Sequence, residues 1–278
     1  MKSGKRGTNV FASVTMILLS VAFLAPIFIV FMNSFKGKLF ISDTPFALPN
    51  VKTFVGMQNY MVGISKTGFL QSFQWSLLIT VSSVLTILLF TAMTAWYITR
   101  VKSRTSTGLY FLFVFSMIVP FQMVMFTMAK IANLLHLDNP AGIIIIYLGF
   151  GSGLSVFTFS GFIKTIPVEI EEAAMIDGCE PIRAFFTVIL PMLQPVTITV
   201  AILNTMWIWN DYLLPYLVIG TKYKTIPIAI QYLKGGYGSI DMGAMMAMLV
   251  LAVIPIILFY LSCQKYIIQG ILAGAVKG

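Results

Sequence analysis

Charge is scarce in this sequence. Of 278 residues only 10% are charged, 58% are hydrophobic and the mean hydropathy is +0.93. Ordinary globular domains carry roughly 25% charged residues, so the balance is that of a membrane protein. One histidine, His136, and two well-separated cysteines, Cys179 and Cys263, supply neither a metal-ligand cluster nor a nucleophile–base pair. That argues against a membrane enzyme, and His136 reads as a loop residue at the membrane surface. No Gly-x-x-x-x-Gly-Lys-[Ser/Thr] stretch occurs, which excludes ATP hydrolysis through a phosphate loop. No basic patch is interleaved with aromatics, so the net charge of +9 reads as membrane topology and not as nucleic-acid binding. Acid is scarcest of all, with nine Asp and Glu in the whole chain.

Long apolar runs are what the chain does have. A bilayer crossing takes about 20 apolar residues. Six windows qualify: Val10–Met32, Phe73–Thr99, Leu109–Ala129, Ala141–Ile163, Met192–Ile219 (interrupted by Asp211) and Met242–Gln264. The expectation is an all-α membrane protein, one transmembrane domain over residues 1–278. The first window follows Lys2, Lys5 and Arg6 as a signal peptide would, but it is 23 residues long. Signal h-regions run to about 15 residues, so it reads as a membrane anchor. Arg100, Lys102 and Arg104 fill the short loop after the second window, and the positive-inside rule places that loop and the N-terminus in the cytoplasm. Six crossings return the C-terminus, with Lys265 and Lys277, to the same side. The loop Lys36–Gln71 falls outside although it carries Lys36, Lys38, Lys52 and Lys66; its turn formers leave room for one short helix. Both cysteines fall on the cytoplasmic side, where a disulfide is not expected. Pro26, Pro120, Pro195 and Pro255 read as kinks. Gly149-x-x-x-Gly153 reads as a small-residue helix contact and not as a nucleotide loop.

Five of the nine acids lie within "EIEEAAMIDGCE", Glu169–Glu180. Pro167 suits a first helical turn, and Glu169, Glu171 and Glu172 then fall where a helix N-terminus favours negative charge. Ile170, Ala173 and Ala174 share one face at i, i+3 and i+4. Gly178 is a helix stop, Pro181 can start a second short helix anchored by Phe185, Phe186 and Ile189, and Pro191 ends the run. The pattern predicts a cytoplasmic helix–turn–helix between the fourth and fifth crossings. A solvated loop that merely stays out of lipid is the plain alternative.

The spacing resembles the permease subunits of binding-protein-dependent ABC importers. Their cytoplasmic loop reads E-A-A, three residues, G, nine residues, I-x-L-P; here it is Glu172-Ala173-Ala174, Gly178, then Val188-x-Leu190-Pro191. Val188 in place of isoleucine is a mild departure. "FIKTIPVEIEEAAMIDG", "WNDYLLP" (Trp209–Pro215), "FALPN…F…NY" (Phe46–Tyr60) and the ending Gln264–Gly278 resemble the maltose-type carbohydrate-uptake branch, MalG-like.

That resemblance implies a type I importer permease fold of six transmembrane helices. It implies a coupling (EAA) loop over 165–191 that docks in a cleft of a separate ATPase dimer. ATP and Mg would be held there, and this chain would bind no cofactor. Glu172, Ala173, Ala174, Asp177, Gly178, Leu190 and Pro191 would carry the coupling. A second, MalF-like permease subunit, an extracytoplasmic sugar-binding protein and a sugar substrate would be the other partners, with no nucleic acid, in the bacterial cytoplasmic membrane. Cys179 and Glu180 depart from the family's small or polar residues; Glu180 is either a contact for one ATPase or a solvated side chain. The tail 265–278 is either a frayed end or an ATPase contact.

Asp211 is the one carboxylate inside an apolar window, and intramembrane ionisable groups are functional candidates. With Trp209, Asn210 and Tyr212 it either lines the outer part of a translocation path or belongs to a structural hydrogen-bond network. Asn204 and Gln122 are weaker path candidates. An ion-coupled secondary transporter using Asp211 is the rival reading, but it gives no reason for the spacing of the acidic loop.

Overall fold

The structure, a computed structural model, describes residues 3–233 and 241–275, with side chains over 10–233 and 241–265. Lys2 and Lys277 lie outside the described residues. In chain order the helices are α1 (Ser3–Asn33), α2 (Lys38–Asp43), α3 (Gln58–Thr67), α4 (Phe69–Arg100), α5 (Arg104–Ser116), α6 (Phe121–Leu134) and α7 (Pro140–Ile163). Then come α8 (Glu169–Ile176), α9 (Pro181–Ala184), a π-helical turn (Phe185–Ile189), α10 (Leu190–Met192), α11 (Gln194–Asn210), α12 (Leu213–Val218), α13 (Ile226–Gln231) and α14 (Met242–Ala275). No strand occurs among the described residues, only a single bridge between Lys36 and Phe54.

Four helices (α1, α4, α7 and α14) are long and apolar enough to cross a bilayer unbroken. Two further spans are bent pairs. α5 and α6 meet at 106°, and the stretch Pro181–Met192 meets α11 at 78°. Six crossings result when each pair counts as one. The four prolines thus divide. Pro26 and Pro255 sit inside continuous helices, where lipid-embedded backbone tolerates them. Pro120 is the N-cap of α6, and Pro195 opens α11, so both mark breaks and not kinks. A proline has no N–H to give to the preceding turn, and its ring crowds the carbonyl four residues back.

The fifth apolar window is divided again near its far end. α11 stops at Asn210, and Asp211 takes an extended backbone (φ −73°, ψ 125°) before α12 begins. Asp211 therefore lies in a turn between helices and not within a helix. Pro191 does not close the acidic loop; it lies in α10, and the direction changes at Leu193. α14 continues to Ala275, so residues 265–275 of the C-terminal segment are helical; residues 276–278 lie outside the described residues.

Two compact units divide the chain: Met1–Leu70 with Ala229–Pro255, and Gln71–Ile228 with Ile256–Gly278. In the first, the segment after α1 is an ordered cap with two short helices, α2 and α3, where one was expected. Asn59 Nδ2 donates to the carbonyls of Ser34 and Lys36, and the Ser34 hydroxyl lies 2.7 Å from the Tyr60 hydroxyl. Lys36 is fully buried and donates to the Thr44 carbonyl at 2.7 Å, and Lys66 pairs with Asp241. Two of the four lysines that count against the loop's outside placement are thus held within the fold.

In the second unit, α7 is the central post. The carbonyl of Phe113 and the hydroxyl of Ser116, on α5, lie against Gly153, leaving no room for a Cβ. Gly149, the other half of the expected small-residue pair, faces open space, so the contact is made by Gly153. One apolar cluster joins Ala92, Ala95 and Ile98 of α4 to Val156, Phe159 and Ile163 of α7 and to Phe185, Ile189 and Leu193. Another joins Ile79, Val84 and Ile87 to Ile143, Tyr147, Ile208, Leu214 and Val218. The acidic loop stands on the first cluster and Asp211 beside the second.

Candidate functional site

The acidic loop is built as an anchored platform with an exposed tip. Its inward side is apolar: Phe185 and Ile189 are fully buried, Ile170, Val188 and Leu190 pack beside them, and Trp96 lies 5.2 Å from the Phe185 ring. One carboxylate goes inward as well. Glu171 is 5% exposed and accepts from Arg100 Nε at 2.6 Å and from Trp96 Nε1 at 2.9 Å. Arg100 also donates to the Ile166 carbonyl at 2.9 Å. The last turn of α4 thereby grips both ends of the link into α8. A charge-assisted bond between two largely buried groups is stronger than a neutral one. Sequence reasoning missed Glu171 as the anchor, because three glutamates in one first turn look alike. The available signal was Trp96 and Arg100, four residues apart on one helix face with no acid of their own on α4.

The outward side carries the other carboxylates. Glu169, Glu172, Asp177 and Glu180 are exposed, as is Ala173, while Ala174 is half-buried. Among them stand apolar side chains that the described residues leave exposed: Ile176 is 85% exposed, Ile182 64% and Met175 46%. The turn that presents them is a Schellman motif. The Cys179 N–H donates to the Ala174 carbonyl and the Gly178 N–H to the Met175 carbonyl, each at 3.0 Å. Gly178 sits at φ +86°, the left-handed region that disfavours any side chain, although the space around it is open. Gly178 is therefore suited to its backbone conformation, and no other part of the described chain approaches it closely. Cys179 supplies the second N–H of the motif. Leu190 is half-buried beneath the platform and Pro191 is exposed at its far end. Glu172, Ala173, Asp177 and Gly178 thus share the tip, while Ala174, Leu190 and Pro191 belong to its frame.

The second group of candidates is not one patch. Asp211 Oδ1 accepts from the N–H groups of Leu213 (3.0 Å) and Leu214 (3.3 Å), capping the start of α12. Its Oδ2 accepts from the Tyr147 hydroxyl at 3.1 Å. Tyr147 is fully buried, and the Trp207 ring stands edge-on to it at 5.5 Å. Trp209 is buried edge-on to Phe73. Asn210 is exposed and donates to the Met206 carbonyl, and Tyr212 stacks on Tyr216 at 5.3 Å. Asn204 is buried and donates to Ser155 Oγ and to the Val200 carbonyl; Gln122 is exposed. Tyr147 is the partner that sequence reasoning did not supply. His136 ends α6 at φ 54° as the left-handed residue of a further Schellman turn, with Leu137 N–H donating to the Ala132 carbonyl. Among the described residues no group of His, Cys, Asp and Glu is placed to hold a metal.

Residues 87–272 match the family described as binding-protein-dependent transport system inner membrane component. The chain is 40% identical over 262 residues to the probable starch degradation products transport system permease protein AmyC of Thermoanaerobacterium thermosulfurigenes, covering 94% of each. It is 35% identical to the multiple sugar-binding transport system permease protein MsmG of Streptococcus mutans, over 92% of this chain and 93% of the relative. A chain of a bacterial ABC transporter involved in the import of the acidic polysaccharide alginate shares the fold, with a TM-score of 0.78 at 21% identity, covering 96% of this chain and 98% of that one. The exposed loop between α7 and α11 falls within the matched region, and the chain belongs to the binding-protein-dependent transport system inner membrane components, the membrane permeases of ABC importers.

Proposed function

We propose that this chain is one of two permease subunits of a sugar or oligosaccharide importer, and that the tip of α8 is where a separate ATPase drives it. One observation carries the reading. The platform is fixed from below by Glu171, Phe185 and Ile189, while Met175, Ile176 and Ile182 stay exposed on the same loop as the exposed acids Glu172 and Asp177. An apolar knob rimmed by charge, on a rigid base, is the anatomy of a protein interface. Basic groups on an ATPase cleft would pair with Glu172 and Asp177, and Ile176 would enter the cleft. ATP and Mg would bind there, and closure of the ATPase dimer would push the platform as a lever.

In this reading residues 1–278 form one transmembrane permease domain. Both termini and the 165–191 loop face the cytoplasm, and an extracytoplasmic binding protein delivers the sugar. None of the most apolar 18-residue stretch of α1 is buried within the chain, against 44% of that of α7. A MalF-like second permease gives α1 a partner. The bonds made by Asp211 support a structural role, so the path for sugar runs past this turn and is not built from its carboxylate.

The test is uptake of labelled oligosaccharides by cells carrying Glu172→Lys or Ile176→Asp. Uptake falls at least about tenfold in each, since one lost interface anchor of 1.4 kcal/mol or more already gives that factor. Unchanged uptake in both would refute the coupling role of the tip.

A further inference from the structure

A cavity of about 640 Å³ opens where the end of α4, the first turns of α5 and the end of α7 meet. That volume is within the range of roughly 300–1,000 Å³ typical of small-ligand sites. Its rim carries Lys102, Arg104 and Lys164, and no carboxylate lines it. The two ion pairs among the described residues are Lys66–Asp241 and Arg100–Glu171, so none of these three cations is paired with an acid. Lys164 leans over the Tyr110 ring, 5.2 Å from its centre. The positive-inside rule accounts for Lys102 and Arg104 in a short loop. It does not account for what lies deeper. Ser160 is fully buried and lines the cavity, and its Oγ has no hydrogen-bond partner. Thr99 Oγ1, also in the wall, is likewise buried and unpartnered. Buried hydroxyls left without partners are costly, and of the five such hydroxyls among the described residues these two line the cavity. A helical serine could return its proton to the carbonyl four residues back, as Ser155 does to Gly151.

We propose that this cavity binds the anionic phosphate headgroup of a membrane phospholipid. Lys102, Arg104 and Lys164 would surround the phosphate, and a small shift of the wall would let Ser160 and Thr99, buried behind it, donate their hydroxyl protons to its oxygens or to the glycerol of the headgroup. The cavity also has apolar walls, Ile98 and Phe111. The outer face of α5 continues the apolar surface with Leu112 and Phe115, each 63% exposed. An acyl chain can lie along that face, which favours a lipid over free phosphate as the source. Basic pockets between transmembrane helices are suited to anionic headgroups. The site is separate from the tip of α8, and its occupancy can be measured without reference to sugar or ATP.

Native mass spectrometry of the full chain, purified with its co-purifying subunits and stripped of lipid, tests this. Titration with phosphatidylglycerol fills one tight site per chain, and phosphatidylcholine does not. Lys102→Gln/Arg104→Gln/Lys164→Gln weakens that site by at least about tenfold. Lys102→Arg/Lys164→Arg retains it. Ser160→Ala weakens it by roughly threefold while leaving the melting temperature of the lipid-free protein unchanged or higher. Should the triple variant fail to fold, Ser160→Ala and Thr99→Val carry the same test without a change of charge. Equal binding of the two lipids would overturn the proposal, as would phosphatidylglycerol bound undiminished by the triple variant. Inorganic phosphate at low millimolar concentration displacing the lipid would overturn it in favour of a soluble phosphate site.

Discussion

The acidic loop and the Asp211 turn both put carboxylates at a helix end, and they do opposite things with them. At the Asp211 turn both oxygens are occupied, by the N–H groups of Leu213 and Leu214 and by the Tyr147 hydroxyl. In the loop a single acid, Glu171, is taken inward by Arg100 and Trp96. Glu172 and Asp177 stay exposed beside uncovered isoleucines. A carboxylate surrounded by donors from its own chain builds structure. One that stands at the surface between exposed apolar groups is left open to a partner. The contrast holds within a single helical turn, between Glu171 and Glu172.

The largest effect that would break this contrast is loss of the anchor. Glu171→Ala leaves the largely buried Arg100 and Trp96 without their acceptor and destabilises the chain by about 3 kcal/mol. Thermal unfolding in detergent reads this, and Glu172→Ala in the same assay stays within about 0.5 kcal/mol of wild type. Asp211→Ala comes next. It removes the cap of α12 and strands the buried Tyr147 hydroxyl, at a cost of roughly 1–2 kcal/mol. Asp211→Asn keeps an acceptor oxygen for the two N–H groups, so oligosaccharide uptake persists with it, whereas an ion-coupling carboxylate would not survive that change.

Gly178→Ala forces a Cβ into the left-handed region and costs roughly 1 kcal/mol, with a matching fall in melting temperature. Because the space there is open, the sensitivity is to any side chain and not to its size. The smallest effect is in the first unit. Burial disfavours the Asp241 carboxylate, but the Lys66 ammonium and the Ala244 N–H outweigh it and hold it below its ordinary value. Its stabilisation is complete above the unfolded value of about 3.9. It disappears as pH falls through the lower folded value. Lys66 is 56% exposed, so screening limits the contribution to about 0.5 kcal/mol. Lys66→Met flattens the acid limb of the stability curve by that amount.

Much of the fold was legible in the chain. Apolar length located both ends of α4 and α7, the end of α1 and the start of α14 to within a few residues, because a bilayer imposes that length. The exposed helix–turn–helix was legible from Pro167, Gly178 and Pro181, each of which restricts the backbone by itself. Apolar length could not reveal the breaks. Hydropathy runs straight through Pro120 and Asp211, since the residues on either side are equally oily. A cap signal was nonetheless present, with Asn210-Asp211 standing just before Leu-Leu-Pro. The identity of the anchor was not legible from the loop alone. Glu169, Glu171 and Glu172 differ only in which way the helix turns them, and Arg100 lies some 70 residues earlier in sequence.

The central claim is that the tip of α8 grips a separate ATPase. The most direct measurement is the amount of ATPase that co-purifies with the tagged chain in mild detergent, compared between Ile176→Asp/Glu172→Lys and Asp211→Asn. The account predicts that the tip variant loses the ATPase while still purifying as folded protein, and that Asp211→Asn retains it at wild-type stoichiometry. Retention of the ATPase by the tip variant would contradict the account.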